Sequence, residues 1–454
     1  MHKKNILLMI SHDTGRYLGC YGKAVATPAI DRLAAEGVRF DNYFCPAPQC
    51  SPSRGSILSG LYPQNHGMIG LSHLGFSINP EVTTLPMALG QAGYETALIG
   101  FSHETIGEPG GTNTTSAGKL GYETVLPVPG DRAKDVAEQA VTFLQERAGQ
   151  VSAEAGEEQE RPFFASVGFF ETHREFDEYE PLADPPHAIV PPPYLPDTPG
   201  VREELALLHG SAKALDAGVG RIIEALDQLG LGEDTLVIFT TDHGIAFPRA
   251  KGTLLDAGLE TALLMRCPGM LPAGRVADEL LCNVDLMPTL LEVAGAKGPN
   301  GLDGVSFLPL LEQRDAAPPR DHMMAELSWH DQYHPMRAIR TDSFKYIRNF
   351  EEGPSVYLPL DIHRSLSGIE VREAYYKPNV PEELYDLQMD PLEQHNLAGD
   401  PQYQDILVQL REQVKTWMET CDDQLLQGRI PGTAAPEWQE QYDNGTAYGA
   451  GRKQ

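Results

Sequence analysis

Apolar runs that alternate with helical patterns are the feature of this sequence that most constrains its fold. Four runs are largely apolar throughout, namely NILLMIS (5–11), YETALIG (94–100), RPFFASVGFF (161–170) and TLVIFTTDHG (235–244). Strands of this composition are buried on both faces, which requires a sheet covered by helices on both sides. A long helical pattern at 201–230 separates the last two runs. The sequence therefore predicts an α/β fold, in which functional sites lie beyond the carboxyl ends of the strands.

The pattern changes in the last third of the chain. Strand-like segments at 336–350 and 383–398 are followed by a helical pattern at 403–421. We expect these segments to form a smaller α+β region with an antiparallel sheet, closing the edge at which the site would lie. The predicted domains are therefore residues 1–318 and 319–454.

The net charge restricts the class of partner. The 454 residues carry a formal net charge of −29, which argues against nucleic-acid binding because such binding needs a basic face. An anionic substrate would need a cationic pocket set into this acidic surface. The six cysteines are scattered without a CxxC pair, which argues against a disulfide framework or a zinc knuckle.

The apolar runs are too short to cross a bilayer, so we expect no membrane anchor. The N-terminal MHKKNILLMISHD imitates a signal peptide, but it lacks a small-residue cleavage site. We interpret its apolar run as the first buried strand, and we expect a cytoplasmic protein or one from which a leader has already been removed. The sequence leaves a homo-oligomer open.

Polar pairs follow two of the predicted strands. His12 and Asp13 end the first, and Asp242 and His243 end the fourth. Two carboxylates and two imidazoles at such strand ends can hold one divalent cation. The alternative is that each pair caps a strand or a helix. His12 is the weakest candidate ligand, because neighbouring residues on a regular strand point to opposite sides.

The stretch CPAPQCSPSRGSILSGLYPQNHG, residues 45–67, has the composition of a loop that leads into a helix. Pro52 and the small residues around it suit a first helical turn. A helix N-terminus favours negative charge on a reactive atom placed there. This stretch is therefore predicted to deliver a side chain to an anion-binding site.

Cys50 and the residues after it carry a resemblance to a known family. The run CSPSR closely resembles the activation sequence of the type I sulfatases, in which the cysteine is oxidised to formylglycine. Similar segments extend over nearly the whole chain, and 49–71 and 242–254 look most similar to the sulfamidase (N-sulfoglucosamine sulfohydrolase) branch. The resemblance implies an alkaline-phosphatase-like sandwich with a large, mostly parallel or mixed sheet. It also implies metal-dependent hydrolysis of a sulfate ester or sulfamate, with a small-molecule or saccharide sulfate as substrate and a formylglycine-generating maturation enzyme as partner.

The same resemblance explains why a cysteine begins this helix. A thiol would be left as a stable adduct, whereas a formylglycine hydrate carries two hydroxyls on one carbon. One hydroxyl attacks sulfur; the other then loses a proton, and the hemiacetal expels sulfate and regenerates the aldehyde. A divalent metal would lower the pKa of the attacking hydroxyl, with ligands from His12, Asp13, Cys50, Asp242 and His243.

Further catalytic roles are implied where residues match the family. Arg54 would hold the hydrate, and His103 would lie near the attacking hydroxyl. Lys251 would contact a sulfuryl oxygen and the leaving atom. His173 would face the sulfate or the leaving group, as a base when neutral or as a general acid when protonated. Arg174 would add a fork toward a substrate anion, with a surface salt bridge as the alternative.

Two departures from the family pattern concern charge and metal. Phe101 stands where the family usually has a lysine, which removes one cation from the sulfate pocket. His12 and His243 stand at positions where many sulfatases carry Asp or Asn. Calcium, the family's usual ion, prefers oxygen ligands, so the imidazole nitrogens favour manganese. An Asp-His ending is also found in phosphonate monoester hydrolases and choline sulfatases.

A second group of cation-capable side chains occurs in SWHDQYHPMR. His330, His334 and Arg337 are predicted to line the pocket mouth and bind an anionic or sugar substrate. The alternative is a polar edge of interdomain packing.

Three functions follow from these residues. The favoured one is hydrolysis of a sulfate ester or sulfamate. A phosphonate monoester or phosphodiester hydrolase on the same scaffold is the second. An inactive sulfated-glycan binding protein is the third, suggested only by Phe101, and the retained catalytic set argues against it.

Overall fold

An eight-stranded sheet forms the core of the molecule. The computed structural model describes residues 3–105, 114–153, 161–312 and 318–432. The strands of this sheet are β1 (Asn5–Ser11), β2 (Val38–Phe40), β4 (Glu95–Gly100), β5 (Thr124–Leu126), β6 (Phe163–Gly168), β7 (Thr235–Thr241), β8 (Leu263–Arg266) and β9 (Arg275–Ala277). A two-stranded sheet pairs β3 (Tyr43–Phe44) with β10 (Leu281–Cys282).

The strand order is β5-β4-β6-β1-β7-β8-β2-β9, which places β1 in the interior of the sheet. β1 pairs in parallel with β6 and β7, and Leu8 lies opposite Ser166 on one side and Ile238 on the other. Of these eight strands only β8 runs against the rest, because it pairs antiparallel with both β7 and β2. The prediction of a large, mostly parallel sheet is confirmed.

Helices cover both faces of this sheet. In chain order they are α1 (Pro28–Glu36), α2 (Cys50–Ser59), α3 (Pro63–His66), α4 (Leu85–Gln91), α5 (Ala133–Ala153), α6 (Pro199–Gln228), α7 (Asp256–Leu259), α8 (Leu286–Val293), α9 (Leu308–Leu311), α10 (Leu360–His363), α11 (Leu366–Tyr375) and α12 (Gln404–Thr420). Leu7 and Met9 of β1 pack with α1, α5 and α6. Ile6 and Leu8 face the other way and pack with α2, α4, α8 and α9. The strand is apolar throughout because both of its faces are buried.

A smaller antiparallel sheet follows in the C-terminal region. Its strands are β11 (His322–Trp329), β12 (Tyr333–Thr341), β13 (Phe344–Asn349) and β14 (Glu382–Asp386), in that order. The apolar face of α12, including Leu407 and Val414, packs on it. The predicted C-terminal α+β region is confirmed, whereas its division into a separate domain at residue 318 stays a prediction. Within the described ranges, no helix has both the length and the apolar composition of a bilayer span.

Arg337 lies inside this C-terminal region, so the prediction that it lines the pocket mouth is wrong. Its side chain is 0% exposed. Two of its N–H groups donate to the carboxylate of Asp423, at 2.5 and 3.0 Å, and the other three donate to Ser328 and to backbone carbonyls. Burial raises the pKa of neighbouring Glu326 to about 7, which makes Asp423 the principal partner. All five donors of the guanidinium are used, and none is left for a substrate.

Arg337→Met is expected to lower the free energy of unfolding by about 3–5 kcal/mol, because it leaves the buried carboxylate of Asp423 without a counter-ion. Arg348→Met is the matched control. Arg348 lies opposite Arg337 on β13, but its side chain is 42% exposed. Its ion pair with Glu382 is long, at 3.8 Å. An exposed pair contributes about 0–1 kcal/mol. Urea unfolding of both variants measures the difference, and equal losses would contradict the buried-pair interpretation.

Candidate active site

The carboxyl ends of β1 and β7 bring the two predicted polar pairs together. Ser11 lies opposite Thr241 in the parallel register, so the residues that follow each strand emerge side by side. Asp13 adopts a left-handed backbone conformation with φ of 55°. Strand alternation therefore ends before Asp13, and its carboxylate turns to the same cluster as His12. The backbone N–H of Asp13 donates to Asp242 Oδ1 at 2.9 Å, which ties the two strand ends together.

Cys50 is the first residue of α2 and lies in the same cluster. Its Sγ is 3.5 Å from His243 Nε2 and 3.7 Å from Asp13 Oδ1. One turn on, Ser53 Oγ donates to the backbone carbonyl of Asp242 and accepts from Asn283, which fixes the helix start against β7. Burial raises the pKa of the Cys50 thiol, so the unmodified side chain is a neutral thiol and a poor nucleophile at neutral pH.

The cluster suits a divalent cation. One donor atom from each of five buried residues lies within 4.8 Å of the others, and the five are His12, Asp13, Cys50, Asp242 and His243. Both ring nitrogens of His12 are buried without a hydrogen-bond partner. Burial lowers the pKa of His12 well below its ordinary value, so the imidazole is neutral and can offer a lone pair. Two carboxylates with two imidazoles form a mixed oxygen and nitrogen donor set.

Arg54 reaches the cluster from the next turn of α2. Its Nε donates to Asp242 Oδ2 at 3.0 Å, and its Nη1 lies 3.7 Å from Glu104 Oε1. The guanidinium carbon lies 4.9 Å from the ring centroid of Phe101, whose other stacking partner is His12 at 4.8 Å. The family usually has a lysine at position 101. In this chain the position is occupied by the ring of Phe101, which packs on Arg54 and His12.

Lys251 lies between two carboxylates, those of Asp13 and Asp361. Its Nζ is 2.6 Å from Asp13 Oδ2 and 2.9 Å from Asp361 Oδ2. Burial opposes the charge, but the two carboxylates hold the pKa of Lys251 well above its usual range, so it stays an ammonium. His173 Nε2 is 3.5 Å from Lys251 Nζ. Burial and the ammonium lower the pKa of His173, and its Nδ1 contacts the backbone carbonyl of Arg174, which leaves the lone pair on Nε2.

The remaining predicted residues divide between the site and the interior. His103 lies in the site, with its ring 5.8 Å from that of His12. His330 Nδ1 contacts Asp331 at 3.2 Å and its ring lies 6.1 Å from that of Tyr357, so its role in substrate binding stays a prediction. His334 does not reach the site: its ring stacks on Tyr357 and lines a cavity of about 270 Å³ that none of the cluster residues lines.

Arg174 is the third incorrect substrate prediction, after Arg337 and His334. Its guanidinium pairs with Glu204 at 2.9 Å and donates to the carbonyl of Ala246. The rings of Phe176 and Phe247 lie 4.9 and 4.7 Å from its guanidinium carbon. This buried arginine stabilises the loop after β6, and its N–H donors are not directed at a substrate.

Sequence reasoning missed three side chains of the site. Asp361 lies 110 residues beyond Lys251, and nothing in the local sequence of α10 marks it. Glu104 directly follows His103, so a charged residue beside a predicted catalytic residue could have been predicted from the sequence to lie in the site. The ring of His73 lies parallel to that of His103 at 5.9 Å.

Known proteins resemble this chain over most of its length. Residues 4–296 match the family model described as Sulfatase, and residues 249–366 match the model described as N-sulphoglucosamine sulphohydrolase, C-terminal. The human N-sulphoglucosamine sulphohydrolase is 30% identical, over 92% of this chain and 91% of its own length.

Two solved structures share the fold. One is a protein in complex with its substrate D-glucosamine-2-N,6-O-disulfate, with a TM-score of 0.70, 20% identity, and coverage of 93% of this chain and 98% of the other. The second is the phosphonate monoester hydrolase of Agrobacterium radiobacter, with a TM-score of 0.69, 23% identity, and coverage of 92% and 96%. These likenesses confirm the alkaline-phosphatase-like fold.

The family match covers well over half of the chain and includes both strand ends and the helix start at Cys50. The full-length similarity to the human sulphohydrolase points the same way. This chain therefore belongs to the sulfatase family and is a sulfuric ester hydrolase with similarity to the sulfamidases.

Proposed function

We propose that this enzyme hydrolyses a sulfate ester or sulfamate carried by a saccharide, and that residue 50 acts as formylglycine. The observation that carries the proposal is the position of Cys50. It begins a buried helix 3.5 Å from His243 and 3.7 Å from Asp13, with Lys251 bound to the far oxygen of that carboxylate. A sulfo group held at residue 50 would therefore meet Lys251 and His173 on its outer side.

Two side chains of the site, Lys251 and His173, assist different steps of the proposed reaction. The hydrate of residue 50 attacks sulfur with one hydroxyl, the bond from sulfur to the leaving oxygen or nitrogen breaks, and the proton lost by the attacking hydroxyl is balanced by one taken up by the leaving atom. Lys251 donates a hydrogen bond to the leaving atom as negative charge develops there. Neutral His173 accepts the proton of the second hydroxyl, after which sulfate departs and the aldehyde returns. A divalent cation held by His12, Asp13, residue 50, Asp242 and His243 would supply positive charge for the sulfuryl oxygens.

The saccharide part of the proposal is supported by the names of related proteins. One relative is named for N-sulphoglucosamine, and one structural neighbour contains a sulfated glucosamine as its substrate. The runner-up is a phosphonate monoester hydrolase, favoured by the Asp-His ending at Asp242 and His243 and by the shared fold. The maturation enzyme, the oligomeric state and a cytoplasmic location stay predictions.

Parallel steady-state assays test the proposal. Glucosamine N-sulfate and 4-nitrophenyl sulfate are expected to give higher kcat/KM than a phenylphosphonate monoester. A higher value for the phosphonate would favour the runner-up. Binding of the sulfated sugar without turnover, in protein whose residue 50 is formylglycine, would favour the inactive binding protein.

The imidazole ligands are expected to set the metal preference. After chelation, manganese should restore activity better than calcium and should raise the thermal midpoint more, because nitrogen donors favour a transition ion. His243→Asn should shift both preferences toward calcium by replacing the nitrogen with an amide oxygen. Metal content measured after dialysis against equal concentrations of both ions checks the preference independently of turnover.

His395→Asn is the control for this substitution, because His395 lies on the surface with its side chain 78% exposed. It should leave metal content unchanged. Full reactivation by calcium with manganese ineffective would show that the imidazoles do not set the metal.

A further inference from the structure

We propose that Asp361 recognises the leaving group, accepting hydrogen bonds from hydroxyl or amine donors on the sugar that carries the sulfo group. This inference rests on the proposed function and specifies which part of the substrate the site recognises. Asp361 would then be a specificity-determining residue, contributed by the C-terminal region to a site built mainly by the large sheet.

The position of Asp361 is the first step of the argument. Along the row Asp13, Lys251 and Asp361, the exposed fractions of the side chains are 0%, 2% and 21%. Asp361 is thus the outermost of the three. Donor atoms of Asp13, His173 and Asp361 lie within 4.8 Å of one another, so a leaving atom beside His173 and Lys251 lies a few ångströms from Asp361.

The charge balance is the second step. Lys251 is one cation between two carboxylates. When its ammonium turns to a sulfuryl oxygen or the leaving atom, Asp361 loses part of its pairing. A carboxylate that is largely buried needs replacement donors. The hydroxyl and amine groups next to the scissile bond of a sulfated sugar supply them, whereas an aryl or alkyl leaving group does not.

The support behind Asp361 is the third step. Its Oδ1 accepts from the backbone N–H of Ile362 at 2.9 Å, which orients Oδ2 toward Lys251. The backbone N–H of Leu360 donates to Asp331, which also contacts His330 at 3.2 Å. The turn between β11 and β12 therefore holds the start of α10 in place, and Asp361 is preorganised rather than carried on a free loop.

Two sulfamates test the proposal, because glucosamine N-sulfate carries hydroxyl donors and cyclohexyl sulfamate carries none. The wild-type enzyme should prefer the sugar in kcat/KM by at least about 10-fold. Asp361→Asn should reduce this preference by about 10-fold or more, since a hydrogen bond to a charged group contributes about 1.5–3 kcal/mol and 1.4 kcal/mol is tenfold. Its loss of kcat/KM for cyclohexyl sulfamate, which reflects only the changed charge beside Lys251, should be at least about tenfold smaller than its loss for the sugar.

The control is Asp342→Asn, an exposed carboxylate in the turn between β12 and β13 that should leave both values unchanged. Equal losses on both sulfamates in Asp361→Asn would overturn the proposal, because Asp361 would then act only by holding Lys251. If that variant does not fold, equal kcat/KM of the wild-type enzyme for the two sulfamates overturns it. Failure of the wild-type enzyme to hydrolyse any sulfate or sulfamate would overturn the proposed function, and this inference with it.

Discussion

Cys50→Ala is expected to abolish turnover, by at least about 10⁴-fold, while the protein stays folded. Removal of a covalent nucleophile has effects of this size, because the remaining groups only bind and polarise the substrate. The fold should survive, since Cβ is kept and Ser53 still anchors α2 to Asp242 and Asn283. Steady-state rates with glucosamine N-sulfate and a thermal unfolding curve measure the two parts of this prediction.

Cys267→Ala is the matched control for this substitution, because Cys267 is equally buried but lies in the core beside the large sheet. It should cost some stability and leave kcat unchanged. The intact mass of the peptide containing residue 50 shows in parallel whether the wild-type thiol has become an aldehyde. Near-normal turnover in Cys50→Ala would refute the mechanism outright.

Lys251→Met is expected to lower kcat by about 10²–10³-fold, the range seen when one preorganised donor to developing charge is removed. Methionine keeps the length of the stem and removes the ammonium. The loss should be larger for glucosamine N-sulfate than for 4-nitrophenyl sulfate, because nitrophenolate leaves without help from a donor. Measurement of kcat for both substrates separates this role from a purely structural one.

Lys251→Arg is the companion variant for this position. It keeps the charge between Asp13 and Asp361 but presents a planar fork instead of a compact ammonium. We expect an intermediate rate and an unchanged thermal midpoint. A kcat for Lys251→Met within threefold of the wild-type value on both substrates would show that this cation does not assist the leaving group.

The strand ends could be predicted from sequence for a physical reason. Continuous apolar runs are a consequence of burial on both faces, and parallel strands place their carboxyl ends at one edge. His12, Asp13, Asp242 and His243 therefore had to lie close together once β1 and β7 paired. The position of Cys50 came from a motif, and the structure brings it to the same edge.

The arginines show why other site predictions failed. Arg174 and Arg337 satisfy their donors with Glu204 and Asp423, which lie 30 and 86 residues along the chain. The local sequence shows that a cationic side chain is present. Only the packing of the folded chain determines whether that side chain pairs with a carboxylate of the same chain or with a substrate. Asp361 is the converse case, because its contact with Lys251 spans 110 residues and has no local signature.

The burial of α2 has a consequence for the order of events during biosynthesis. All ten residues of this helix are buried, and Cys50 itself is 2% exposed. If residue 50 is converted to formylglycine as proposed, the converting enzyme needs access to a thiol that the folded protein buries at the start of α2. We therefore expect conversion of Cys50 to precede folding of the chain. Protein that folds before conversion would be kinetically locked in the thiol form, and adding the maturation enzyme afterwards would not activate it unless the chain were first unfolded.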